Sequence, residues 1–267
     1  MRHEAPSLAL KLVDDLVAEG QTHFTFNEAR RRLDRSPSAT ANLLRRMVST
    51  GLLDHVRRGH YVVRPLGVLG TRAVAEDVAI GVAAAFSGQP HRLAYRTALD
   101  EHDLLVHPVR TIYVATSRRT RAKSLSGRPL RTVLEPVTAI HVGAIARGPS
   151  RMSGLERALL DAAARPDLAG GAAVLAEAIT SAGRNVDSER LTGFAQRLGW
   201  AAALRRIGSI SDALAVEGLA GRLGPLHPPV ADLDLEPGEQ AGCVWRDARW
   251  RVRWGRSRDE LGNLARE

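Results

Sequence analysis

Ser38, Asn42, Arg45 and Arg46 stand within a few turns of one another, with Thr40 among them, and Arg57, Arg58 and His60 follow shortly after. Short hydroxyl and amide groups both donate and accept, which suits them to polar base edges. Guanidinium groups present planar forks of donors that match phosphate oxygens. Chemistry of this kind needs one element that carries the readers and a second that carries the clamp.

The spacing supplies both. Ser36 is a good helix N-cap, and Pro37 fits a first helical position, where its missing N–H has no intrahelical partner to lose. Ala39, Leu43 and Met47 recur every four residues, Leu44 and Val48 widen the apolar stripe, and Gly51 ends the helix. Ser38, Asn42, Arg45, Arg46 and Ser49 fall off that stripe, with Thr40 at its edge. The runs Leu52–Val56 and Tyr61–Val63, joined across Arg57-Arg58-Gly59-His60, predict a hairpin with a basic tip. Upstream, Ser7–Glu19 carries Leu8, Leu12, Val13, Leu16 and Val17 as a buried helical stripe. Thr25-Phe26-Asn27-Glu28 is a capping box for a short helix over Asn27–Leu33, after an extended His23–Phe26. Helix, extended piece, helix, turn, helix and hairpin make the order of a winged helix-turn-helix, whose second helix of the pair enters the major groove while the hairpin flanks it.

The expected fold class is therefore α+β. A winged helix-turn-helix occupies residues 1–66, and a larger mixed α/β region occupies 67–267, divided into a mixed part (67–150), a helical part (151–224) and a linker with a terminal β-hairpin (225–267). Ala75–Ile80 and the alanines after it predict one helix, and His91–His102 a second with Tyr95, Ala98 and Leu99 inward. Val109–Ala115 and Val137–Val142 read as strands. From Leu104 to Leu134 there are seven basic residues and no acidic one, either a patch for a polyanion or an acidic protein, or a solvated loop. Ser153-Gly154-Leu155-Glu156 reads as a second capping box, and Arg157 and Asp161 as an i, i+4 pair ahead of Pro166. Helices follow over Ala172–Ala182, from Asp187 or Ser188 to Leu198, over Trp200–Ile207 and over Ser211–Leu223. Pro225–Pro237 reads as a solvated linker. Ala241–Trp254 reads as a hairpin in which Trp250, Val252 and Trp254 face one way and Arg249, Arg251 and Arg253 the other. Gly255–Glu267 reads as a polar tail.

Composition narrows the function classes. A net charge of +9 favours a polyanionic partner. Of the 38 basic residues only Lys11 and Lys123 are lysine, a bias that a GC-rich genome also produces, so position rather than number carries the argument. One cysteine, Cys243, excludes an internal disulfide and a cysteine zinc site. No apolar run approaches a membrane span, and the amphipathic first turns do not resemble a secretory signal, so the expected compartment is the cytoplasm. Phosphate-binding glycine loops, His-Glu-x-x-His and Gly-x-Ser-x-Gly are all absent. We therefore expect no catalytic residues, no metal and no cofactor, and a binding protein rather than an enzyme such as a nuclease.

The segment from Ser153 to Gly171, SGLERALLDAAARPDLAGG, resembles the hallmark of AbiEi-type antitoxins, the antitoxins of type IV abortive-infection toxin–antitoxin pairs. Tyr95-Arg96-Thr97-Ala98-Leu99, the strand at Val109–Thr116 and Leu204-Arg205-Arg206-Ile207-Gly208 fall in that family's order. Glu101-His102-Asp103-Leu104 stands where the family often has His-Gly-Leu, and Trp254-Gly255 where its last strand commonly ends in Asn. The resemblance implies a winged helix that binds inverted repeats in its own promoter, as a dimer or as two copies, and represses the operon. It further implies a C-terminal domain that counteracts a nucleotidyltransferase-like toxin, directly or indirectly. Glu156, Arg157 and Asp161 are the candidate toxin-contact residues, though the cap and the i, i+4 pair favour a structural role for them. The alternative is a transcriptional regulator whose C-terminal domain senses a small ligand and has no toxin partner.

Overall fold

A computed structural model describes residues 7–64, 78–120, 124–125, 128–236 and 242–265. The chain is mixed α+β and divides into two compact units. The first takes Met1–Gln89 with Thr120–Arg131 and Arg147–Ser150, and the second takes the remainder. The expected boundary after residue 66 falls outside the described residues.

The first unit opens with α1 (Leu8–Ala18), β1 (His23–Thr25), α2 (Phe26–Leu33), α3 (Pro37–Ser49), β2 (Leu53–Arg57) and β3 (His60–Val63). Each helix start follows from its cap. The Ser7 hydroxyl accepts from Leu10 N–H, Thr25 and Glu28 form a reciprocal capping box, and Ser36 accepts from Ala39 N–H. The strands form an antiparallel sheet in the order β1-β3-β2. Leu12, Val13, Leu16, Phe24, Ala29, Leu44, Met47, Leu53 and Val63 make one core from all six elements. Leu8 and Val17 lie at the edge of the α1 stripe and remain exposed. After the hairpin, α4 (Val78–Ala85) packs on β2 and β3 and buries Val78, Ala79, Val82, Ala84 and Ala85. The part of its expected helix before Val78 lies outside the described residues.

The next elements are β4 (His91–Leu93), α5 (Tyr95–Glu101), β5 (Ile112–Thr116), β6 (Ser124–Leu125), β7 (Arg128–Leu134), α6 (Val137–His141), β8 (Ala144–Arg147) and β9 (Ser150–Ser153). The sheet runs β7-β5-β4-β9-β8, and β6 adds to the start of β7 as a short hairpin grouped with the first unit. Three expectations change here. His91–Leu93 is a strand, not the first turn of a helix, because it pairs antiparallel with Val114–Thr116. The basic stretch contributes β6 and β7, not only loop. Val137–His141 is a helix despite its β-branched residues: Pro136 precedes its first turn and Ile140 alone is buried.

The helical part follows as α7 (Leu155–Ala164), α8 (Pro166–Ala169), α9 (Ala172–Ala182), α10 (Ser188–Leu198) and α11 (Ala201–Ala213). Helix α7 is central, buried from Glu156 to Ala163 and packed against α5, α9, α10 and α11. Trp200 is the N-cap of α11, and Ala201–Ile207 and Ser211 belong to one helix continuous through Gly208. The Ser211–Leu223 helix does not form, because Ala215, Gly218 and Gly221 all take left-handed backbone conformations that break it. The chain ends in β10 (Leu233–Asp234), β11 (Trp245–Asp247), β12 (Val252–Trp254) and α12 (Arg258–Leu264). Two expectations change again. The "linker" supplies β10, parallel to β12, and the tail is a helix capped by Ser257 and Glu260. Trp250, Val252 and Trp254 are buried, as their alternation requires, but the arginines beside them are not simply solvated. Asp232 pairs with Arg246 and Arg251, Asp234 with Arg253, and Asp212 with Arg249.

Two glycines in this unit test the packing with opposite signs. A Cβ at Gly208 would come within 2.2 Å of the Trp250 ring, whereas one at Gly193, within α10, meets nothing within 4 Å. We expect Gly208→Ala to destabilise by roughly 1–3 kcal/mol or more through overpacking. Gly193→Ala should stabilise by up to about 1 kcal/mol through helix propensity. Urea denaturation followed by tryptophan fluorescence checks both.

Candidate nucleic-acid interface

Helix α3 presents Ser38, Asn42, Arg45, Arg46 and Ser49 to solvent while Leu44 and Met47 anchor it in the core. Arg45 Nη1 donates to Asn42 Oδ1 at 3.0 Å, so an amide and a guanidinium share one polar face. Thr40 does not join them. It is fully buried, and its hydroxyl donates to the Ser36 carbonyl at 3.0 Å. At the edge of the stripe, its methyl group and a backbone acceptor one turn earlier favour the core side.

The hairpin tip is Arg58-Gly59, with Arg57 and His60 as the last paired residues of β2 and β3. Gly59 has φ of 77°, and its carbonyl accepts from Phe26 N–H at 2.8 Å, which ties the tip to the start of α2. Arg58 is exposed. His60 is half-buried: its ring stacks on His23 of β1 at 5.4 Å between centroids, with Nδ1 3.1 Å from His23 Nε2. It therefore acts first as a sheet contact. The same unit places Ser38, Asn42, Arg45 and Arg46 on one helix and Arg58 on the flanking turn, and removes Thr40 from the set.

The motif helix is built differently. Arg157 and Asp161 are wholly buried and Glu156 nearly so, which rules them out as a contact surface. The Ser153 capping box does not form; Gly154 is the N-cap and the Ser153 hydroxyl donates to Asp161 Oδ2 at 2.6 Å. Asp161 accepts from Arg157 Nε at 2.8 Å and from Arg92 Nη2 at 2.9 Å. Arg92 and Arg157 both also pair with Glu135, at 3.0 and 2.9 Å. Tyr95 donates its hydroxyl to Glu135 at 3.0 Å, and Ser153 Oγ accepts from Arg92 Nε at 2.8 Å. The remaining guanidinium N–H groups reach the carbonyls of Ala139, Ile140 and Val142 at the end of α6. Two cations and two anions cancel, and every guanidinium nitrogen has an acceptor. Trp200 roofs the cluster, its ring centre 4.6 Å from the Arg157 guanidinium carbon. Glu156 accepts from Asp187 N–H at 3.2 Å and joins α7 to the cap of α10.

Charge states follow from this packing. Burial alone would raise the Asp161 carboxyl, but Arg92, Arg157 and the Ser153 hydroxyl overcome it and hold the group below its ordinary range. Burial and the charges of Asp161 and Glu135 raise the Tyr95 phenol, which stays a donor. Arg92 and Glu135 carry half of the cluster, yet lie 69 and 26 residues before Asp161, and no local spacing points to them. Their sequence signals are weak: Arg92 stands just ahead of Leu93-Ala94-Tyr95, and Glu135 is the first acid after a long basic stretch.

The other family-like segments are structural too. Gly171 has φ of 91°, and a Cβ there would come within 2.7 Å of Glu236, whose carboxylate accepts from Ala172 N–H at the start of α9. Arg205 donates to the carbonyls of Ala231, Trp250 and Arg251, and Arg206 to those of Ala163 and Asp234. With carbonyl partners only, burial pushes the Arg206 guanidinium down to about 10. The Arg-Arg-x-Gly segment thus staples the terminal sheet to α11. Among the described residues there is no His, Cys, Asp and Glu group able to hold a metal, and no helix is long and apolar enough to cross a membrane.

No family model and no curated protein matches the chain. Among solved structures it is similar to the crystal structure of the RV2827C protein from Mycobacterium tuberculosis, with 18% identity and a TM-score of 0.67 over 99% of this chain and 95% of that one. A likeness at that identity concerns the fold.

Breaking one member of the buried cluster should be costly. We expect Asp161→Asn to lose roughly 3–5 kcal/mol, because two guanidinium groups stay buried with too little counter-charge. The Asp161 carboxyl has its folded pKa below the unfolded value of about 3.9. Its stabilisation is therefore complete above that value and is lost as pH falls through the lower folded one. Urea midpoints at neutral pH and near pH 3 should show a drop for the wild type that is smaller in the Asn variant.

Proposed function

We propose that the first unit is a winged helix-turn-helix that binds DNA, with α3 in the major groove and the β2–β3 tip against the backbone. The observation that carries this is one exposed polar face on α3, Ser38, Asn42, Arg45 and Arg46, set above a fully packed core and flanked by Arg58 on a tethered turn. The core fixes the helix and leaves this face with no folding role. Asn42 and Arg45 are the base readers, since amide and guanidinium groups make the bidentate contacts to adenine and guanine. Arg58 is the phosphate contact.

The resemblance of Ser153–Gly171 and its companion segments to AbiEi-type antitoxins supports reading the whole as an autoregulating cytoplasmic antitoxin, whose second unit counteracts a nucleotidyltransferase-like toxin. Burial of Glu156, Arg157 and Asp161 moves the toxin-facing surface away from the motif: the motif builds the second unit, and other residues do its work. A winged helix covers one half-site, so binding to inverted repeats requires two copies.

Fluorescence anisotropy with duplexes from the protein's own upstream DNA should show Asn42→Ala losing roughly 1–3 kcal/mol of discrimination at one base position. Arg58→Ala should weaken all sequences alike and reduce the salt slope by about 0.9. If the wild type binds its upstream DNA no better than random DNA, the repressor reading fails. In cells that also express the adjacent gene product, full-length protein carrying Asn42→Ala and Arg45→Ala should lose repression of its promoter while still restoring growth. An absence of toxicity from that neighbour would instead favour a regulator without a toxin partner.

A further inference from the structure

We infer that the basic end of α2 is a second phosphate-binding track, separate from α3 and the hairpin tip. The inference rests on the reading of α3 as the DNA-facing helix. Arginines of the first unit separate by partner. Arg32 is held by both Glu19 oxygens at 2.6 and 2.7 Å and by Gln21, and Arg64 is paired with Asp54 at 2.6 Å. Arg30, Arg31 and Arg35 are exposed and have no ion-pair partner among the described residues. With Asn27 and Asp34 they line an open depression of about 500 Å³.

Folding alone does not ask for this cluster. A cation at a helix C-terminus complements the dipole for a few tenths of a kcal/mol up to about 1 kcal/mol. One cation meets that need, whereas the last turn of α2 carries three, Arg30, Arg31 and Arg32. Arg30 and Arg31 in the last turn of α2 and Arg35 just beyond it outnumber Asp34, the carboxylate that lines the same depression, and leave room for a further anion. A phosphodiester fits: its two free oxygens accept from forked guanidinium donors. Position favours DNA as the source. Asp34, with φ of 47°, turns the chain from α2 into α3, so Arg35 directly precedes Ser36, the N-cap of α3. The N-terminal part of a recognition helix is the part that meets base edges. A strand phosphate bordering the groove would therefore pass this depression as α3 enters. Asp34 opposes the phosphate, and its carboxylate limits how tightly the track holds.

Phosphate binding of this kind is independent of sequence, so full-length protein and a random-sequence duplex suffice for the test. Binding is followed by anisotropy across a salt series. The triple variant Arg30→Gln, Arg31→Gln, Arg35→Gln should flatten the dependence of log K on log salt by about 0.9 for each phosphate no longer neutralised. Asp34→Asn should tighten binding several-fold at low salt. Arg32→Gln, whose guanidinium is already occupied, should leave the slope unchanged. A triple variant with the wild-type slope overturns the proposal while leaving the α3 reading intact. Wild-type protein that does not bind the duplex even at low salt overturns both. If instead the triple variant loses binding to poly-glutamate but keeps the DNA slope, the patch belongs to an acidic protein partner and the proposal is wrong.

Discussion

The second unit depends on four buried charges that cancel. Arg92 comes from β4, Glu135 from the residue after β7, and Arg157 and Asp161 from α7. A buried ion pair contributes little net stability over a well-packed apolar core, because desolvation takes back most of the Coulomb gain. Its effect here is on arrangement. Each guanidinium has a fixed set of planar donors, and only one placement of β4, the end of α6 and α7 satisfies all of them. The carbonyls of Ala139, Ile140 and Val142 show this constraint at work: the end of α6 lies where the remaining N–H groups reach.

The first unit is held by a different principle. Its core is an apolar cluster with Thr40 and Asp54 as its buried polar members, and its helix starts are set by local caps at Ser7, Thr25 and Ser36. Most of its charges are thus released from structural work. In the second unit the terminal arginines are absorbed by Asp212, Asp232 and Asp234, and Arg205 and Arg206 by backbone carbonyls. Arginine is a staple through much of the second unit, whereas in the first Arg30, Arg31, Arg35, Arg45, Arg46 and Arg58 face solvent beside the paired Arg32 and Arg64.

This difference explains what could be read from the sequence. Caps, glycine stops and four-residue periodicity act within one turn, and they placed α1, α2, α3, the hairpin, α7, α9 and α10 closely. Thr40 failed because one residue at a stripe edge points either way until a core exists to receive it. Val137–His141 failed because β-branched residues read as strand unless the acceptor need of distant Arg92 and Arg157 is known. The left-handed Ala215 left no local mark, so the Ser211–Leu223 helix was over-extended. Ser153 looked like a cap by spacing, yet its hydroxyl serves Asp161. At Thr40 and Ser153 a specific partner outcompeted a local rule. Of the candidate site, the exposed face of α3 was legible from what its stripe excludes, whereas the closed charge cluster was visible only as the pair Arg157 and Asp161.

The placement of the indole rings gives the molecule an uneven optical signature. All four tryptophans, Trp200, Trp245, Trp250 and Trp254, lie in the second unit. Trp250 and Trp254 are buried, and Trp200 covers the charge cluster. Intrinsic emission excited at the indole band therefore originates from one half of the chain. The half that carries α3 is dark by comparison, with tyrosine Tyr61 as its native chromophore among the described residues. Indole emission therefore reports the unfolding of the second unit, and the far-ultraviolet helix signal that of both.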